Sequence, residues 1–210
     1  EVTMKPREIE EESFRIIDRE AGEHRFLPDR WSIVRRMIHT TADFDYLHTV
    51  RFHAGAIKAG MRAIKQGRNI VTDTEMLKAG IRKADLEPFG TKVMCFINGP
   101  GVIDRSKRSG ITRAAAAVDH ALPFMQDGIY AIGNAPTALF RLLELMEEGH
   151  ARPALVIGLP VGFVNAAESK AILAKVKTPF ISNAGRKGGS NVAASVVNGL
   201  VKLVLQKGES

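Results

Sequence analysis

A single cysteine, Cys95, stands in a chain of 210 residues. That excludes an internal disulfide and any cysteine-rich metal site, and it suits a reducing, cytoplasmic compartment. Aromatic residues are scarce at 6%, with one Trp and two Tyr. They are not interleaved with the basic residues, as single-strand nucleic-acid binders require. No apolar run approaches the roughly 20 residues needed to cross a bilayer, because Gly, Pro or charge interrupts each one. Neither nucleic acid nor membrane is therefore the expected partner. The opening EVTMKPREIEEE is acidic and polar, unlike a secretory signal. HExxH, GxSxG and GxxxxGK[ST] are missing, and no strand is followed by GxGxxG. The common signatures of zinc hydrolysis, serine nucleophiles, triphosphates and dinucleotides are thus absent. No repeat, low-complexity tract or linker interrupts the chain.

Hydrophobic residues make up 45% and charged residues 25%, the balance of an ordinary globular protein. The length suits one domain over residues 1–210. Lys and Arg number 30 against 23 Asp and Glu, a net charge of +7. Such a surplus attracts polyanions, and a small anionic ligand is the favoured partner.

Through residue 68 the chain reads as helical. Phe14, Ile16 and Ile17 alternate with charge in a helix starting near Arg7. Pro28 and Asp29 open a second helix carrying Trp31, Val34, Met37 and Ile38. A third runs from Arg51 to Gln66 and stops at Gly67. Strands are then expected at 69–72, 93–97, 128–132, 154–159 and 180–182. Helices are expected at 74–79, 111–125, 136–148, 166–175 and 190–205. This alternation predicts an α/β single domain: a mostly parallel central sheet, helices on both faces and a helical N-terminal segment. NGPGVIDRSKRSG (98–110) reads as a mobile loop, and the tail QKGES is expected to fray.

In an open parallel sheet, ligands bind beyond the carboxyl ends of the strands. Four turns there are polar or glycine-rich: VTDTEM (71–76), IGNAPTAL (132–139), IGLPVGFVNAAES (157–169) and SNAGRKGGSN (182–191). Asn134 can cap the helix that Pro136 begins, and exposed amides at that start would attract a carboxylate or phosphate. Thr137 lies in the same turn. SNAGRKGGSN combines three glycines with Arg186 and Lys187, and its Ser190 can cap the last helix. Asn134, Thr137, Arg186 and Ser190 are the candidate ligand contacts. Any one such turn is ordinarily a plain connection, whereas four on one rim suggest a pocket.

Of six histidines, His39 keeps the most informative company. Arg36 and Arg35 precede it by three and four residues, so on a helix the three share a face. Two cations beside an imidazole disfavour its charged form in an empty site. An arriving polycarboxylate would screen them and make a proton available. From spacing alone, a surface or satisfied core histidine is the commoner reading.

Together these residues carry a resemblance. ESFRII (12–17), IVRRMIH (33–39), GNAPTALFRLLE (133–144), GLPVGFVNAAESK (158–170) and GRKGGSNVAAS (185–195) resemble the precorrin-8X methylmutase family, from about Ser13 to Leu203. The resemblance implies a parallel α/β fold and an isomerase of cobalamin biosynthesis. Such an enzyme moves a methyl group from C11 to C12 of a corrinoid precursor, giving hydrogenobyrinate or its cobalt form, cobyrinate. It also implies no organic cofactor and a homodimer with sites at or near the subunit interface. The family's catalytic histidine falls on His39, and its substrate-contacting serine and arginines fall on Ser13, Arg36 and, in ITRAAAA, Arg113. Where a threonine is expected after Gly80, this chain has Ile81 and Arg82. A non-catalytic corrinoid carrier would share the same pocket and is the alternative reading.

Overall fold

A computed structural model describes residues 5–208. Residues 1–4 of the polar opening and residues 209–210 of the tail lie outside the described residues. Two helices lead: α1 (Pro6–Ala21) and α2 (Pro28–Thr41), the latter opened by its predicted proline. Then follow α3 (Tyr46–Thr49), β1 (Val50–Phe52), α4 (Ala56–Lys65), β2 (Ile70–Thr72), α5 (Glu75–Gly80), β3 (Val93–Cys95) and α6 (Pro100–Ser109). The chain continues as α7 (Arg113–Met125), β4 (Ile129–Ile132), α8 (Pro136–Glu147), β5 (Leu155–Gly158), α9 (Ala166–Leu173), β6 (Phe180–Asn183) and α10 (Ser190–Gln206).

The strands form one sheet in the order β1-β6-β5-β4-β2-β3. Every pairing is parallel except β1 on β6, where Val50 faces Asn183 and Phe52 faces Ile181. The side-chain alternation of a strand assigns two cores. Ile129, Ala131, Leu155 and Ile157 join α2, α4 and α10 on one face. Tyr130, Ile132 and Val156 join α7 and α8 on the other. A strand buried on both faces has no room for polar alternation, which is why β4 and β5 read as continuous apolar runs.

Two sequence expectations fail. Arg51 and Phe52, placed at the start of the third helix, instead belong with Val50 to the antiparallel edge strand, held there by β6 rather than by local preference. Residues 98–110, expected to be a loop, contain α6: Pro100 occupies its first turn and Gly110 (φ 65°) ends it. Pro and Gly here punctuate a helix instead of breaking one.

Candidate functional site

The strand order reverses between β2 and β4, and an open α/β sheet ordinarily leaves its ligand crevice at such a point. In this protein the crevice is filled from within. Asp73, after β2, is buried, and its carboxylate accepts from the amides of Gly133 (3.0 Å), Asn134 (2.8 Å) and Ala135 (2.9 Å). Those are the donors expected to attract an external anion. Burial pushes the Asp73 carboxyl above its ordinary range, while the amide bonds pull the other way. Gly133 is required at this crossing, because a Cβ there would lie 2.6 Å from the Ser190 Cα. The Ser190 hydroxyl is buried in a 2.9 Å bond with Thr74 Oγ1.

Neither predicted cap forms. Ala135 and Gly189 are the N-cap residues of α8 and α10, so Asn134 and Ser190 do not cap by side chain. Asn134 is exposed on the turn. Thr137 accepts a 2.9 Å hydrogen bond from Thr112 Oγ1, next to Arg113, which is exposed at the start of α7. Arg186 is exposed with its guanidinium 5.5 Å from the Phe163 ring centroid. Lys187, expected to add a ligand-facing charge, instead donates to both Asp43 and Asp45 at 2.6 Å. Phe163, 85% exposed, and Val164, 76% exposed, place a bare apolar surface on the rim beside Arg186. An exposed aromatic on an ordered turn suggests contact with something apolar.

His39 lies exposed at the end of α2. Phe14 stands edge-on to it, ring centroids 5.2 Å apart at 62°. The Arg35 and Arg36 guanidinium carbons lie 4.4 and 5.1 Å from the same ring. Arg36 donates to Glu10 Oε1 at 3.1 Å, and Arg35 to Asp18 Oδ2 at 2.7 Å. The two cations beside His39 are thus already paired, contrary to the bare cations expected from spacing. Asp18 also accepts from Trp31 Nε1 at 2.9 Å, so α1 is fastened along α2. Ser13 sits one residue before Phe14 and donates to the Ile9 carbonyl at 2.8 Å.

The cleft at His39 measures about 170 Å³ and is lined also by Glu10, Arg36, Arg82, Asn198 and Lys202. Asn198 accepts from the Arg82 amide (3.0 Å) and donates to the Gly80 carbonyl (2.9 Å), which fixes the turn bearing Arg82. Arg82 Nε pairs with Asp85 at 3.2 Å. Lys202 forms no ion pair among the described residues. Sequence reasoning missed Arg82, Asn198 and Lys202. The polar positions 195, 198 and 202, set within the apolar middle of α10, share a helical face, and that spacing was the available signal.

None of Arg113, Asn134, Thr137, Arg186 or Ser190 lines this cleft. His39 and Arg113 belong to helices packed on opposite faces of the sheet. The cleft is smaller than the roughly 300–1,000 Å³ usual for small-molecule sites. A groove of about 870 Å³ lies elsewhere, between the start of α2, α4 and Lys207, and contains none of the candidate residues.

The family model described as precorrin-8X methylmutase matches residues 8–203. A cobalt-precorrin-8 methylmutase of Priestia megaterium is 45% identical over 199 residues, covering 95% of this chain and 88% of that protein. A precorrin-8X methylmutase of Pseudomonas aeruginosa is 39% identical, covering 91% of this chain and 93% of that one. The solved precorrin-8X methylmutase of Thermus thermophilus superposes with a TM-score of 0.91 at 46% identity, covering 96% of this chain and 98% of that one. The chain therefore belongs to the precorrin-8X methylmutase family and is an isomerase.

Proposed function

We propose that this enzyme acts in cobalamin biosynthesis, moving the methyl group at C11 of precorrin-8X, or of its cobalt form, to C12. The products are hydrogenobyrinate and cobyrinate respectively. His39 donates a proton or a strong hydrogen bond to a ring nitrogen near the migrating methyl. This draws electron density from the conjugated system and makes the accepting carbon more electrophilic. The C11–C12 shift rearranges bonds within one molecule, and the macrocycle itself carries the electrons, so no organic cofactor is called for. Cobalt, where present, belongs to the substrate. General acid help of this kind is worth about 10²–10⁴-fold.

The observation that carries the reading is an exposed imidazole at the mouth of a cleft lined by Arg36, Arg82 and Lys202. The ligand is edged by acetate and propionate groups, which such cations suit. Arg113, Asn134, Thr137 and Arg186 are the further rim contacts, with Phe163 and Val164 available to the face of the ring. One chain supplies a small cleft at His39 and the remaining contacts elsewhere. The site is therefore completed in a homodimer, where the rim of one copy closes over His39 of the other. Incubation with precorrin-8X, followed by absorbance, tests the activity: conversion to hydrogenobyrinate supports it, and binding without conversion identifies a carrier.

A further inference from the structure

We propose that Lys170 is a positioning residue whose buried amino group clamps the Lys187 carbonyl and so holds loop 184–189, with Arg186, in its ligand-facing shape. The ligand-facing half of this proposal rests on reading Arg186 as a corrinoid contact; the clamp does not.

Lys170 lies on α9 and is 2% exposed. Its Nζ donates to the Lys187 carbonyl at 2.6 Å and to Asn183 Oδ1 at 3.1 Å. Asn183, at the end of β6, donates through Nδ2 to the same Lys187 carbonyl at 2.9 Å and to the Ala184 carbonyl at 3.2 Å. Two side chains thus converge on one backbone oxygen within a loop of three glycines. From that loop the restraint passes on. The Arg186 carbonyl accepts from the Gly162 amide at 3.2 Å, and the Gly189 amide donates to the Leu159 carbonyl at 2.9 Å. Arg186 and Phe163, the exposed pair on the rim, are therefore carried by two loops tied to each other and anchored at Lys170.

No carboxylate pairs with Lys170 among the described residues. Glu168, on the same helix, is exposed. Arg51 on β1 lines the adjoining cavity of about 310 Å³, and Lys187 turns its side chain to Asp43 and Asp45. An ammonium buried without a counter-charge is costly, and burial lowers the Lys170 pKa to about 8. If the loop opens, the amine meets water and regains its ordinary affinity for a proton. Closing then releases a proton above pH 8, so a higher pH favours the closed loop.

The test is hydrogen exchange at the Gly162 and Gly189 amides, with β4 amides as reference, in wild type and Lys170→Met. The variant should exchange about tenfold faster or more at the two loop amides at pH 7, with β4 unchanged. Wild-type loop opening, corrected for intrinsic exchange, should fall by about tenfold from pH 7 to 9, and the variant should lose this slope. Equal loop exchange in the two proteins overturns the clamp. Where Lys170→Met does not fold, the wild-type slope decides: a flat profile overturns the clamp. Hydrogenobyrinate titration separates the two parts. Lys170→Met and Arg186→Ala should each weaken binding, and the loss in the double variant should be smaller than the two single losses multiplied together. If Arg186→Ala binds normally while Lys170→Met still loosens the loop, the Arg186 reading fails and the clamp stands.

Discussion

Arg36 reaches from α2 to Glu10 on α1, with Nη1 and Oε1 3.1 Å apart, at the edge of the cleft that holds His39. A substrate carboxylate arriving at Arg36 must compete with Glu10. Glu10→Gln should therefore tighten hydrogenobyrinate binding several-fold and steepen its salt dependence. The pair is partly exposed, so its loss should change stability by no more than about 1 kcal/mol. Absorbance titration at two ionic strengths checks this, and an unchanged affinity would remove Arg36 from the carboxylate contacts.

Lys202 has no acidic partner among the described residues and faces the same cleft. Lys202→Met keeps the aliphatic stem and removes the charge. It should weaken product binding about tenfold, or ~1.4 kcal/mol, while the melting temperature barely moves. Equal affinity in the two proteins would place Lys202 outside the ligand's reach.

Asp73→Ala leaves three amides without their acceptor. A buried donor left unsatisfied costs about 1–3 kcal/mol; the Gly133 bond is buried and the other two part-buried, so denaturant unfolding should show a loss of roughly 2 kcal/mol or more. Because burial raises this carboxyl, the folded chain holds its proton to a higher pH than the unfolded chain does. Its contribution is thus largest at low pH and declines as pH rises above the ordinary carboxylate range. The variant should lack that decline, and a stability profile parallel to wild type would contradict the assignment.

Much of the sheet and its helices was legible because apolar period and punctuation agree there. β4 and β5 fall within a residue of their expected spans, and Pro28 and Pro136 begin α2 and α8 as read. β1 was not legible, because Val50–Phe52 is a strand only through its pairing with β6. α6 was hidden by Pro and Gly that mark its ends. At the site, the sequence offered Arg35, Arg36 and His39 on one face but gave no sign of Glu10 and Asp18, which approach from another helix. Nor could it show that Asp73 answers the amides of the IGNAPTAL turn. Such pairings are products of tertiary contact, invisible to spacing along one segment.

Phe163 is exposed and makes little contribution to the core. Phe163→Ala should leave stability within about 0.5 kcal/mol and weaken corrinoid binding, measured by titration with hydrogenobyrinate. Full affinity in this variant would remove the Phe163 rim from the ligand surface.

The central claim is that His39 supplies the proton or hydrogen bond that triggers methyl migration. Single-turnover conversion of precorrin-8X by wild type and His39→Ala, followed by absorbance, tests it most directly. The variant should convert its bound substrate about 10²–10⁴-fold more slowly, with product affinity largely retained. Conversion at the wild-type rate would contradict the account.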